Sequence, residues 1–262
     1  MTKELVSQYA TVLNLARINA KPIVQLSQTY KMSRSDAYQM QEKQLSLRSG
    51  AGEKQIGWKM GLTSEAKRKQ MNLDSPLYGF LTDKMQIKNN GEFNIASQIH
   101  CKIEPEIAFL MSKELPSKPT RAQVMESILA VAPALEILDS RYTEFKYFSM
   151  EDVIADNSSS SFFVLGPWEK KFNQFDIKNL KLTMKFDGVS KQTGTTEAIS
   201  GDPAQSVIEL CQLLGQRDEK LKAGSIVLAG AATAAEELKD GQVISLEMEN
   251  LEKIEIKIVK KI

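Results

Sequence analysis

Apolar residues recur at helical spacing near the start of the chain. The stripe consists of Leu5, Tyr9, Val12, Leu13 and Ala16. Intervals of three and four residues predict an amphipathic helix. A second helix is predicted to begin at Ser33, a good N-cap residue with Asp36 three positions later, and to end at Gly50. The first fifty residues are therefore predicted to be helical.

From about Ile56 onward the pattern changes to short apolar strands separated by Gly, Asn and Asp. Apolar and polar residues alternate from Leu180 to Phe186, and Asp187 and Gly188 supply the residues typical of a hairpin turn. Further strands are predicted at Ser225 to Leu228, Gln242 to Met248 and Lys253 to Val259. This texture predicts antiparallel or mixed sheets.

Three helices are predicted within this strand-rich region. They run from Thr63 to Met71, from Thr120 to about Ala132 with Pro133 as the terminator, and from Asp202 to Gly215. The pattern as a whole predicts an α+β fold. It divides into an N-terminal helical segment, residues 1–55, and an α+β domain, residues 56–262.

Composition excludes several classes of protein. The 262 residues carry a net charge of +1, which argues against general electrostatic binding of nucleic acid. Neither a membrane-spanning apolar run nor the apolar core of a signal peptide is found, so a cytoplasmic protein is predicted. Cys101, Cys211 and the single His100 are too few for a disulfide framework, a typical zinc site or an imidazole-dependent hydrolase. Carboxylates must therefore supply most of any metal site.

Two carboxylates lie on one strand in the segment IEPEIAFLM. Ile103, Ile107 and Phe109 occupy alternate positions that would share a buried face, so Glu104 and Glu106 project together from the other face. Two carboxylates about 7 Å apart can converge on one cation. The alternative is that both line the wet face of an edge strand, which Pro105 would permit.

A third carboxylate, Glu136, lies between apolar residues in ALEILDS, where a polar group needs a partner or a function. Three carboxylates from neighbouring strands would form an all-oxygen site. Such a site favours a hard cation, Mg²⁺ or Mn²⁺, over zinc.

Several blocks of sequence together resemble the hydratase and decarboxylase branch of the fumarylacetoacetate hydrolase superfamily. They are GWKMGLTSEAKRKQM, PLYGFLTDKM, IEPEIAFLM, PALEILDSRY, DVIADNSSSSFFVLG and, near the C-terminus, AGSIVLAGAATAA. The resemblance implies that superfamily's mixed β-sheet (β-roll) fold. It also implies a divalent metal held by Glu104, Glu106 and Glu136, and Lys59 as the active-site lysine.

Other pocket residues follow from the same resemblance. Thr63, Ser64, Leu77, Asn157 and Ser158 are candidate substrate contacts, although Thr63 and Ser64 are also ordinary helix caps. The family further implies a small 2-oxo acid substrate, a homo-oligomer and association with a partner enzyme of the same branch.

The resemblance implies either of two reactions. One is decarboxylation of 2-oxo-3-hexenedioate to 2-hydroxypenta-2,4-dienoate and CO₂; the alternative is hydration of that dienoate. In the hydratases the corresponding segment resembles Pro-Asp-Phe-Gly, whereas this chain has Pro76-Leu77-Tyr78-Gly79. The apolar Leu77 in place of the acid cannot activate water. Leu77 therefore favours decarboxylation. A third possibility, a non-catalytic partner subunit, is opposed by the presence of all three glutamates and Lys59.

Overall fold

The structure, a computed structural model, describes residues 1–64, 68–69, 75–145 and 149–261. Its helices are α1 Lys3–Ile18, α2 Arg34–Gly50, α3 Arg121–Ser127, α4 Met150–Ala155 and α5 Pro203–Gly215. Its strands are β1 Gln55–Gly61, β2 Leu77–Thr82, β3 Gln86–Ile87, β4 Gly91–Asn94, β5 Lys102–Met111, β6 Ile128–Leu138, β7 Ser160–Leu165, β8 Lys181–Phe186, β9 Val189–Thr195, β10 Ile226–Leu228, β11 Glu236–Glu237, β12 Val243–Met248 and β13 Ile254–Val259.

The N-terminal helices begin where local chemistry predicts. Ser33 and Asp36 form a reciprocal capping box at the start of α2, because each side chain accepts from the other residue's backbone N–H. Gln41 and Gln44 of α2 donate to backbone carbonyls of β2 and α4, and so dock the helix on the rest of the chain. Apolar residues of α1 and α2 belong to the same cluster as those of the sheets. The division at residues 55 and 56 stays a prediction.

Two curved sheets form the remainder. The larger runs in the order β2-β1-β10-β5-β6-β7-β3, with β11 paired to part of β5, and the smaller runs β4-β13-β12-β8-β9. The pairs β1–β10, β3–β7 and β4–β13 are parallel and the other pairs are antiparallel. Because β12 contacts β6 and β13 contacts β7, the core lies between the sheets. The predicted α+β class with mixed sheets and N-terminal helices is confirmed.

One predicted helix is wrong over its last five residues. Thr120 does cap a helix, but α3 ends at Ser127, and the chain continues as β6 through Pro133. The residues ILAVA that begin β6 are buried on both faces except at Leu129. Their pairing with β5, together with the bridge from Val131 to Glu169, prevails over the weak helical pattern. The helix predicted over Thr63 to Met71 lies mostly outside the described residues.

The alternative of an edge strand for Glu104 and Glu106 is also wrong. β5 lies inside the sheet, with β6 along one side and β10 and β11 along the other. Pro105 occupies the interval between the residues that pair with β11 and those that pair with β10. A loop passes this interval and Ala232 N–H donates to the Pro105 carbonyl, so the missing proline N–H disrupts no ladder.

None of the helices in the described ranges combines the length and the apolar character that a membrane crossing requires.

Candidate metal centre and active-site cavity

The antiparallel register of β5 and β6 brings three glutamates together. Glu104 lies directly opposite Glu136, and Glu106 follows two residues later opposite the small side chain of Ala134. One carboxylate oxygen from each glutamate lies within 4.8 Å of the other two. Glu106 and Glu136 are fully buried, whereas Glu104 is half-buried. The cluster is therefore closed on one side and accessible on the other.

Hydrogen bonds fix all but one of the buried carboxylate oxygens. Lys59 Nζ donates to Glu136 Oε2 over 3.1 Å, and Ser160 Oγ donates to Glu136 Oε1 over 2.8 Å. The Gly230 N–H donates to Glu106 Oε2 over 2.8 Å. Glu106 Oε1 is buried and accepts from no group among the described residues. A buried acceptor in this condition calls for a ligand or an ion.

The charges of the cluster do not balance. Burial raises the pKa of Glu106 well above its ordinary value, and repulsion from Glu136 and Glu104 adds to the increase. Burial alone would lower the pKa of the Lys59 ammonium, but attraction to the three glutamates outweighs burial and raises it. Three carboxylates against one ammonium leave two negative charges, which a divalent cation would neutralise.

The donor set fits such a cation. Oxygen ligands alone, with one carboxylate facing a cavity, suit Mg²⁺ or Mn²⁺ and leave room for substrate oxygens. The residues present are therefore compatible with the predicted metal, and Glu106 Oε1 is the atom that would gain most from it.

A cavity of about 290 Å³ opens above the glutamates. Lys59 and Glu104 lie at its inner end. Its apolar wall includes Leu62, Leu77, Leu138, Val153 and Ala231, and its polar lining includes Thr63, Ser64, Ser140, Ser158 and Ser159. A largely apolar cavity with a few convergent polar groups is typical of a small-molecule site.

Leu77 lies beside the Lys59 ammonium. A side chain on Gly61 would meet the Leu77 Cδ1 atom at 2.7 Å and Lys59 Nζ at 3.9 Å, so both groups border the same small space. Leu77 is only 1% exposed. The structure therefore places an apolar group, rather than an acid, in the space next to the lysine.

The turn Asn157–Ser159 forms another part of the wall. All three of its residues have positive φ, between 48° and 57°, which is uncommon for residues other than glycine. Bonds to β2 hold the turn: Asn157 exchanges two hydrogen bonds with the Phe80 backbone and Ser158 donates to the Tyr78 carbonyl. A Cβ at Gly79 would lie 2.7 Å from the Asn157 carbonyl oxygen, so this docking requires glycine.

The structure gathers most of the predicted site residues at one place. Lys59, Thr63, Ser64, Leu77, Ser158 and Glu104 line the cavity, with Glu106 and Glu136 beneath it. Asn157 does not belong to the lining, because its side chain is bonded to β2. It positions the turn instead of facing the cavity.

Sequence reasoning assigned no role to several groups that the structure places at the site. Ser160 bonds a glutamate of the cluster, and Lys102, Tyr142 and Phe145 line the cavity. The serine run offered a signal for Ser160, and Lys102 shares the strand alternation of Glu104. Nothing local marks Tyr142 or Phe145.

The sequence of this chain is similar to that of known proteins. The family described as fumarylacetoacetate (FAA) hydrolase C-terminal matches residues 49–259. A 4-oxalocrotonate decarboxylase of a Pseudomonas species is 41% identical over 94% of this chain and 95% of its own. A 2-keto-4-pentenoate hydratase of Paraburkholderia xenovorans is 30% identical over 93% of this chain and 91% of its own.

A solved structure agrees with these similarities. The 4-oxalocrotonate decarboxylase from Pseudomonas putida, complexed with magnesium and adipate, superposes with a TM-score of 0.95. It is 32% identical in sequence, and the alignment covers 99% of both chains. The likeness includes the N-terminal helices as well as the sheets.

Proposed function

Because this chain belongs to the fumarylacetoacetate hydrolase family, we propose that it is a divalent-metal-dependent lyase that decarboxylates 2-oxo-3-hexenedioate to 2-hydroxypenta-2,4-dienoate and CO₂. The observation that carries the proposal is the buried cluster of three glutamates beneath an apolar cavity. The relatives support it, since the decarboxylase is more similar to this chain than the hydratase. A relative that binds magnesium and adipate, a six-carbon dicarboxylate, supports both cofactor and substrate class.

Glu104, Glu106 and Glu136 would hold Mg²⁺ or Mn²⁺. When bound, the cation would supply Lewis-acid stabilisation to negative charge on the substrate's 2-oxo acid group. Ser160 keeps Glu136 oriented, and the Gly230 N–H does the same for Glu106. Both contacts reduce the reorganisation needed at the site.

The reaction breaks the bond between C5 and the C6 carboxylate. Its electron pair forms the C4–C5 double bond, the alkene pair moves to C2–C3, and negative charge arrives on the C2 oxygen. The Lys59 ammonium lies at the inner end of the cavity, beside the glutamates. Its ammonium would stabilise the developing charge and can deliver the proton that yields the dienol.

Leu77 and the apolar wall would exclude water from the reacting carbons. Exclusion of water strengthens the electrostatic contacts at the inner end and prevents addition to the diene. We assign Thr63, Ser64 and Ser158 as substrate contacts from the cavity lining, and Asn157 as the residue that positions the turn.

The test is a direct assay of both reactions. Purified protein with Mg²⁺ is incubated with 2-oxo-3-hexenedioate, and CO₂ is measured; parallel samples contain 2-hydroxypenta-2,4-dienoate, and water addition is measured. We expect CO₂ release that requires the metal and is lost in Glu106→Gln. Water addition without CO₂ release would establish a hydratase instead. If the protein catalysed neither of these two reactions, the proposed lyase activity would be refuted.

We further propose that the enzyme is cytoplasmic, forms a homo-oligomer and can associate with a hydratase. Three large apolar side chains exposed near the end of α1, namely Leu15, Ile18 and Val24, support contact with another chain. Light scattering after size-exclusion chromatography tests the oligomer, and a monomer at micromolar concentration would refute it. Co-elution with a purified hydratase tests the complex.

A further inference from the structure

Strand β5 carries charged residues from the closed end of the cavity towards its opening. Glu106, Glu104 and Lys102 occupy alternate positions, so their side chains leave the strand on the same face. Glu106 is fully buried, whereas Glu104 and Lys102 are half-buried and line the cavity. Lys102 therefore lies about 7 Å beyond Glu104 along the strand.

An aromatic ring holds the Lys102 ammonium. Its Nζ lies 4.6 Å from the centroid of the Phe145 ring, and that ring stacks on His100 with centroids 5.4 Å apart and planes inclined by 18°. A cation over an aromatic face is attracted by the ring quadrupole. Leu138, the partner of Lys102 in the β5–β6 register, lies beside them in the cavity lining. Phe145 and Leu138 therefore fix the position of the Lys102 ammonium and shield part of it from water.

Among the described residues, the two lysines that line the cavity differ in their partners. Lys59 forms an ion pair with Glu136 at 3.1 Å. None of the ion pairs between described residues includes Lys102, although its side chain reaches the same cavity. Its charge is therefore available to an anionic group that enters from solvent, and the aromatic ring cannot neutralise it.

The spacing of these charges matches a dicarboxylate. A 2-oxo acid group at the glutamate cluster would leave the remaining carbons directed along the cavity. The two carboxylate carbons of an extended six-carbon chain lie roughly 6 Å apart, which is close to the two-residue advance from Glu104 to Lys102. A shorter or uncharged tail would not reach the ammonium with a negative group.

We propose that Lys102, held over Phe145, binds the distal carboxylate of the substrate and so selects dicarboxylic over monocarboxylic 2-oxo acids. This assignment rests on the proposed function. Since the distal carboxylate loses its charge as CO₂ forms, the ammonium stabilises the bound substrate more than the transition state. Lys102 therefore determines affinity and selectivity, and its loss should raise KM with little decrease in kcat.

The test compares two stable ligands that share one head group. 2-Oxoadipate and 2-oxohexanoate have the same 2-oxo acid end, and only the former has a distal carboxylate. Both are titrated into the Mg²⁺-loaded protein by calorimetry. We expect wild type to prefer 2-oxoadipate by about tenfold or more. In Lys102→Met the preference should fall to about threefold or less, with the affinity for 2-oxohexanoate nearly unchanged.

Two further variants complete the design. Lys102→Arg keeps the positive charge and should retain most of the preference, whereas Lys84→Met removes an exposed lysine outside the cavity and should leave the ratio unchanged. An unaltered ratio in Lys102→Met would overturn the assignment while leaving the proposed function intact. A wild-type protein that binds neither 2-oxo acid would refute the proposed function, and this assignment with it.

Discussion

Replacement of Glu106 by glutamine should stabilise the metal-free protein while abolishing its response to Mg²⁺. The substitution removes one negative charge and keeps the shape of the side chain. Its amide oxygen can still accept from the Gly230 N–H, which now bonds Glu106 Oε2 at 2.8 Å. The only large change is therefore electrostatic.

The magnitude follows from the geometry of the cluster. Two carboxylate oxygens 4.8 Å apart repel by about 3.5 kcal/mol at an effective dielectric constant of about 20. Glu106 has two such neighbours, and the Lys59 ammonium offsets about one of them. Burial also raises the pKa of Glu106, so partial protonation already relieves some repulsion. We expect the free energy of unfolding of the metal-free variant to exceed that of wild type by about 1–3 kcal/mol.

The gain should depend on pH. The folded wild type retains a proton on Glu106 at pH values where the unfolded chain has released it, so its stability falls as pH rises above the ordinary glutamate pKa. Glutamine does not titrate. The advantage of the variant should therefore be larger at pH 8 than at pH 5, and should vanish below about pH 4.

The assay is thermal unfolding in EDTA and in saturating Mg²⁺. A ligand at a hundred times its Kd stabilises by about 2.7 kcal/mol. For a chain of this size that corresponds to a rise in Tm of roughly 5–10 °C for wild type. Glu106→Gln should begin at a higher Tm in EDTA and show little further rise with Mg²⁺.

Two results would refute this reasoning. One is a metal-free variant less stable than wild type, because the cluster would then not be repulsive. The other is a Mg²⁺ response equal to that of wild type, because Glu106 would then not be a ligand. Glu114→Gln is the matched control: Glu114 pairs with Lys220 on the surface, and its loss should change stability by less than about 1 kcal/mol at any Mg²⁺ concentration.

Three further substitutions test other parts of the site. Leu77→Asp places an acid near Lys59, so water is no longer excluded from the reacting carbons. The variant should release CO₂ about tenfold more slowly or worse, and its addition of water to the dienoate should become measurable. Asp156→Asn leaves its fully buried partner Arg141 without a carboxylate and should cost about 3–5 kcal/mol in chemical denaturation. Gly79→Ala should displace the turn at Asn157 and raise KM, as measured by steady-state kinetics.

Two of these substitutions have a control variant, and the third has an outcome that would contradict it. Leu77→Asn has the size and polarity of the aspartate variant but no base, so equal gain of water addition would exclude a role for the charge. Loss of less than about 1 kcal/mol in Asp156→Asn would mean that the buried pair behaves like a surface one. Gly50→Ala, where an added Cβ meets no atom within 4 Å, should leave KM unchanged.

Local features of the chain determined the elements that depend on short-range chemistry. The capping box at Ser33 and the N-cap at Asp202 defined the starts of α2 and α5, because the bonds involved span only two or three residues. The hairpin turn followed from Asp187 and Gly188, two residue types that favour the positive φ such turns require. Alternation along β5 likewise determined that Glu104 and Glu106 share a face.

Tertiary structure decided everything that depends on which strands become neighbours. Residues 128–132 became strand because β5 pairs with them along one side and Val131 bridges Glu169 on the other, and no local pattern contains that information. The same pairing set Glu136 opposite Glu104 and turned three separate carboxylates into one cluster. Sequence supplied the chemistry of the site; only the register of distant strands brought its charges within 4.8 Å, since long-range pairing is set by burial across the whole core.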